Sequence, residues 1–122
     1  MTEGEENSGA RFHKYKSGTL DDPNYFENDY IIYRLTEIYF NKAEAIIRKN
    51  NGVATPEAVT LINNTRKRAF SAEDWPANQY TAATLTLDEL LKERGREFIF
   101  EGKRRTDLIR FNKFTTATWW DH

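Results

Sequence analysis

Residues 86–102 read Thr86-Leu87-Asp88-Glu89-Leu90-Leu91-Lys92-Glu93-Arg94-Gly95-Arg96-Glu97-Phe98-Ile99-Phe100-Glu101-Gly102, and the fold turns on them. Thr86 with Glu89 three positions on is a capping box, in which a hydroxyl and a carboxylate satisfy the orphan N–H groups of a helix start. At about 100° per residue, Leu87, Leu90, Leu91 and Phe98 fall on one helix face. That face also carries Arg94, Glu97 and Glu101, charges in the middle of an apolar stripe. The pattern predicts a helix to about Glu101, a break at Gly102 and a short further helix over Lys103 to Phe111.

Upstream, the same helical period recurs. From Asn28-Asp29, which reads as an N-cap, Ile31, Leu35, Ile38, Tyr39, Ala43, Ile46 and Ile47 follow at spacings of three and four. They predict a first helix that stops at Asn50-Asn51-Gly52. Arg34, Glu37, Asn41, Glu44 and Arg48 share its other side, which reads as solvated unless a further helix layer covers it. Thr55-Pro56-Glu57 opens a second helix with a hydroxyl cap, Pro at the first position and an acid in the first turn. Its stripe is Ala58, Val59, Ile62, Ala69 and Phe70, and Arg66 lies inside it. A link of about four residues makes the two helices antiparallel neighbours. Ser71 to Leu85 reads as a loop of about 15 residues, a length that usually carries function or disorder. Residues 1–28 hold Gly4, Gly9, Gly18 and Asp21-Asp22-Pro23-Asn24 and read as an extended arm or loop, leaving 29–122 as the helical domain. Nothing alternates strongly enough for a sheet, so the fold class is all-α, built of helical hairpins.

A charge on an apolar stripe is tolerated when it is paired and hydrogen bonded. Arg66 and Arg94 offer planar forks, and Glu97 and Glu101 offer carboxylates, so an interhelical ion cluster of these four is expected. The composition narrows function. The 122 residues hold 18 basic and 19 acidic groups, which argues against a nucleic-acid partner even though Arg66-Lys67-Arg68 and Lys103-Arg104-Arg105 are locally basic. The absence of cysteine excludes disulfides, thiolate metal sites and a cysteine nucleophile. The longest apolar run is four residues, Tyr30 to Tyr33, against the roughly 20 that span a bilayer. His13 and His122 have no metal-ligand spacing, and no cofactor is implied. Glu97 and Glu101 stand one helical turn apart beside arginines, which suits structural partners better than a glycosidase acid/base pair. Trp75, Tyr80, Trp119 and Trp120 stand outside the strong stripes, and Trp75 in the long loop is the candidate for contact with a sugar face.

The motifs resemble those of the SusD/RagB family. Asp29 to Tyr39 with Lys42-Ala43-Glu44-Ala45 resembles the family's Arg- and Glu-bearing helix that ends in Ala-Glu-Ala. Ile62-Asn63-Asn64-Thr65-Arg66-Lys67-Arg68-Ala69 resembles its Asn-Arg-Arg-Ala helix, Glu93 to Gly102 its arginine-rich helix ending in Glu-Gly, and Lys103 to Phe111 its Arg-Asp-Leu-Arg-Phe helix. Arg105 and Thr106 depart from the family's Trp and aromatic, and Gly95 loosens a helix interior. The resemblance implies a tetratricopeptide-like scaffold, here the C-terminal helical part of a longer surface lipoprotein of the Bacteroidetes outer membrane. It also implies capture of glycan or other nutrient, without catalysis, for a TonB-dependent, SusC-like transporter. The bound oligosaccharide would belong to the full-length protein, and the membrane would be reached only through a lipid anchor outside this chain. Arg34, Glu37, Glu44, Asn63, Arg68, Arg104 and Asp107 are then scaffold residues. The alternative is a stand-alone helical-repeat module that binds protein.

Overall fold

In the computed structural model the chain divides into two units, Met1–Tyr30 and Ile31–His122, and the residues described are Lys14 and 31–116. The expected arm at 1–28, the Asn28-Asp29 cap, His13, Trp119, Trp120 and His122 lie outside the described residues. Every regular element among the described residues is helical: α1 Leu35–Lys49, α2 Pro56–Arg66 followed by a 3-10 turn Lys67–Ala69, α3 Trp75–Asn78, α4 Leu87–Glu97 and α5 Arg104–Arg110.

Helix α1 starts later than the hydrophobic period suggests. Its N-cap is Arg34, in extended backbone, so Ile31 precedes the helix. The buried face is also turned away from the expected stripe. Phe40, Ala43 and Ile47 are fully buried, whereas Leu35 and Ile38 are 63% and 55% exposed. Glu37 and Glu44, expected on a solvated side, are buried with that face. The reason is that α4 packs against α1, the further layer that a single helix period cannot reveal.

The link from α1 turns on Asn51 and Gly52, both left-handed at φ 53° and 86°, and Gly52 N–H closes onto the Ile47 carbonyl at 2.8 Å. This is the backbone state for which glycine ends a helix. Thr55 then caps α2 by accepting from Ala58 N–H at 3.3 Å, with Pro56 at the first position. The helix gives way to the 3-10 turn after Arg66, which leaves Ala69 exposed and outside the expected stripe. The expected long loop contains α3, entered through a Ser71 hydroxyl that accepts from Asp74 N–H at 3.1 Å. Thr86 caps α4 through Glu89 N–H at 3.1 Å. Helix α4 ends at Glu97, four residues before the expected stop, and the turn to α5 carries two left-handed residues, Phe100 at φ 62° and Gly102 at φ 70°.

Helices α1 and α2 form the principal hairpin, α4 lies on α1, and α5 packs on α4. One core results, with Phe40, Ala43 and Ile47 from α1, Ala58 and Ile62 from α2, Leu90 and Phe98 from α4 and its end, and Tyr80 and Leu85 from the loop. Phe40 and Phe98 meet edge to face with ring centroids 5.2 Å apart. The rotated face of α1 yields a contrast. Ile47→Ala removes a fully buried side chain and is expected to cost about 2–5 kcal/mol, while Ile38→Ala is expected to stay within about 0.5 kcal/mol. Urea unfolding of the two variants checks this, and equal losses would return Ile38 to the core.

Candidate functional site

Four clusters of charge tie the helices together and use almost every motif residue. The first surrounds Arg34. Its Nε and Nη2 grip both oxygens of Glu101 at 2.9 Å, its Nη1 donates to Glu97 at 2.7 Å, and its Nη2 also reaches the Glu97 carbonyl at 3.0 Å. The guanidinium lies 4.7 Å from the Phe98 ring centroid. Burial works against the charge of Arg34, but the hydrogen bonds to Glu101 and Glu97 outweigh it and hold its pKa above the ordinary value. Arg68 joins from the 3-10 turn after α2, donating to Glu97 at 2.9 Å.

The second cluster is the most deeply buried. Arg94 and Asp107 are 1% and 2% exposed and form an ion pair at 2.8 Å. That contact lies off the N–H axis, since neither Arg94 Nε nor Asp107 Oδ2 has an aligned hydrogen bond. Arg94 Nη1 donates instead to the Asn41 amide oxygen at 3.0 Å, and the guanidinium faces the Phe98 ring at 5.1 Å.

In the third, Arg110 clasps both oxygens of Glu44 at 3.0 and 2.8 Å and also donates to Asp107 at 2.9 Å. Arg48 adds a further bond to Glu44 at 2.9 Å. Burial alone raises the Glu44 pKa, yet the bonds from Arg110 and Arg48 prevail and hold it below the ordinary carboxylate value. Lys103 lies 3.0 Å from Glu37 and donates to the Ile32 carbonyl at 2.6 Å.

The fourth fixes the loop. Glu93 is buried and accepts from Arg66, from Arg96 at 2.8 Å and from the Tyr80 hydroxyl at 3.3 Å. Burial, then the adjacent Glu93 charge, push the Tyr80 phenol upward. Arg66 is stacked between Phe70 and Tyr80, 4.9 and 4.7 Å from their centroids, and donates to the Asn78 carbonyl at 2.8 Å. Asn63 reads the Tyr80 backbone with both ends of its amide at 2.9 Å. The loop is thus pinned to α2 at two points, and Trp75 sits half-buried at the start of α3 with its ring 6.3 Å from Phe70.

The four residues of the expected cluster therefore pair with other residues instead of with one another: Glu93 holds Arg66, Asp107 holds Arg94, and Glu97 and Glu101 both hold Arg34. Sequence reasoning missed Glu93, although it stands three residues after Leu90 on the buried face, and it missed Arg96 and Arg110. Tyr80, expected among the loop aromatics, is a core residue. Arg104 donates to the Leu91 carbonyl at 3.0 Å, and a Cβ on Gly95 would meet its Nη1 at 3.0 Å. Glycine thus has a use inside α4: it leaves room for a guanidinium against the helix. Among the described residues, no group of three His, Asp or Glu side chains could hold a metal ion, and no helix is long and apolar enough to cross a membrane.

An all-helical unit whose buried arginines and glutamates lie at these motif positions defines a class, and the chain belongs to it: the SusD family model matches residues 2–122. Over 98 residues the chain is 42% identical to the starch-binding protein SusD of Bacteroides thetaiotaomicron, a match covering 80% of this chain and 16% of that protein. The chain thus spans only 16% of the length of the curated relative it matches. No solved structure gives a significant match.

Two predictions follow from the buried pairs. Arg94→Met removes the buried guanidinium that pairs with Asp107 and is expected to cost about 3–5 kcal/mol, whereas Arg94→Met with Asp107→Leu is expected to regain most of that loss. Urea denaturation of the single and double variants measures it, and an unchanged midpoint in Arg94→Met would contradict a paired core charge. Glu44 supplies the pH dependence. Its folded pKa lies below the unfolded value of about 4.3, so its stabilisation is complete above that value and is lost as pH falls through the folded pKa. Glu44→Gln is expected to be less stable at pH 7 but to show a shallower fall below about pH 4, read as melting temperature against pH.

Proposed function

We propose that this chain is helical scaffold and partner surface in a SusD-type protein that holds oligosaccharide at the cell outer membrane, without catalysis, for delivery to a TonB-dependent transporter of the SusC type. The observation that carries the reading is the 42% identity to a protein named for binding starch. The geometry supports it. Glu93, Glu97 and Glu101 are each engaged by arginine, and a general acid needs a carboxyl that is free to exchange its proton with substrate. The charged residues of the motifs bind helix to helix, which suits a tetratricopeptide-like scaffold in which stacked hairpins build a stable surface. Attachment to the membrane would run through a lipid anchor elsewhere in such a protein. Trp75, half-buried on the pinned loop, is the side chain proposed to meet a sugar face, since an indole offers an apolar plane with a polar edge.

Affinity gels cast with neutral polysaccharides test this. A SusD-type protein carrying this chain is expected to be retarded by at least one of them and to release no reducing sugar, and Trp75→Ala is expected to weaken the retardation. Absence of retardation across a starch, pullulan, xylan and mannan panel, or hydrolysis that disappears in Glu97→Gln, would overturn the reading.

A further inference from the structure

The end of α2 and the facing side of α4 enclose an open cleft of about 320 Å³ whose lining includes Arg66, Arg68, Phe70, Glu93, Arg96 and Glu97. Three guanidinium groups there face two carboxylates, so the cleft is positive within a chain whose total charge is nearly zero. The floor is rigid, because Arg66 is stacked between two rings and bonded to Glu93 and to the Asn78 carbonyl. The two other arginines stand at the mouth, with side chains 61% exposed for Arg68 and 53% for Arg96.

Each of these two is oriented by the protein through one side of its fork. Arg68 spends Nε on the Thr65 carbonyl and Nη2 on Glu97. Arg96 spends Nε on Glu93 and Nη2 on the Tyr80 hydroxyl. In both, Nη1 donates to nothing among the described residues. Two forks held in place, each with N–H groups to spare, match the planar acceptor of a carboxylate. Beside them Phe70 forms an apolar wall, with Trp75 packed against it at 6.3 Å. An aromatic wall next to a carboxylate grip suits a pyranose ring that bears an acid. A peptide carboxylate would use the arginines and leave the rings idle.

We propose that this cleft is a subsite for a hexuronate residue of an acidic oligosaccharide, an inference that rests on the saccharide-binding reading above and assigns it a charged sugar. The ring lies against Phe70, and the carboxylate is taken by Arg68 and Arg96. Their existing bonds to Glu97 and Glu93 stay in place. Binding is therefore expected to be salt-sensitive, because both arginines are exposed and screened.

Titration of the 122-residue chain with trigalacturonate, followed by nuclear magnetic resonance, tests it. Saturable shifts are expected at the Nε–H of Arg68 and Arg96 and at the Phe70 ring, at least tenfold stronger than with maltotriose or triglutamate and weakened by 0.5 M salt. Arg68→Gln and Arg96→Gln are each expected to lower the affinity at least fivefold with helical circular dichroism unchanged, and Arg96→Lys to retain part of it. A flat trigalacturonate titration, or equal binding of maltotriose, overturns the inference. Equal binding of triglutamate also overturns it and makes the cleft a site for acidic peptide. The arms are separable: a flat titration with gel retardation intact removes the acidic subsite alone, and lost retardation removes the wider reading.

Discussion

Burying a guanidinium is the constraint from which the rest of this structure follows. Arg94 sits at the centre of the described helices, 1% exposed, and a charge withdrawn from water must arrive with its acceptors. Asp107 from α5 and Asn41 from α1 supply them, so a single side chain of α4 demands both neighbouring helices at once. The aromatic rings of Phe40 and Phe98 close around it at 5.9 and 5.1 Å. The apolar core and the ion lattice are therefore one object, since Phe98 also stacks on Arg34 and Phe70 on Arg66.

This arrangement trades stability for definition. A buried ion pair is often no more stabilising than apolar residues of the same volume. What it adds is selectivity of register. Arg34 grips Glu101 with two parallel bonds, and Arg110 grips Glu44 in the same way. A slip of one residue in α5 would pull Arg110 off the buried Glu44 carboxylate, and a slip in α4 would part Arg94 from Asp107. Short helices of 11 and 7 residues have little intrinsic persistence, and the bidentate pairs fix where they sit.

Local chemistry was the legible part of the sequence. Thr55-Pro56 and Thr86 mark helix starts because a cap is decided by a few adjacent residues, and both cap as the motif requires. The α1 start lies later than the period suggests because Ile31 and Leu35 continue that period, and a period has no knowledge of what lies opposite. Arg34 leaves the helix as its cap because Glu97 and Glu101, more than 60 residues later, hold its side chain. The same long-range ignorance separated Arg66 from Glu93 and placed Glu37 and Glu44 in water. A stripe of charges tells which face is buried, but only the packing of helices tells which acid meets which base.

That distinction bears on how the family motif works. Asn63 and Arg66 belong to one short segment, and neither reaches toward solvent for a ligand. Asn63 instead completes the hydrogen bonds of the Tyr80 backbone, and Arg66 satisfies the Asn78 carbonyl. The loop between α2 and α4 would otherwise pay the full entropy of ordering about 15 residues. With two motif side chains pinning residues 78 and 80, the loop is held against the hairpin, and Phe70 and Trp75 are held with it. A scaffold residue can thus determine a surface without touching what the surface binds, through the backbone it immobilises. On the proposed saccharide-binding reading, variation in the loop's exposed side chains changes the ligand while Asn63, Arg66 and Glu93 keep the frame, a division of labour in which buried charge sets position and exposed chemistry sets preference.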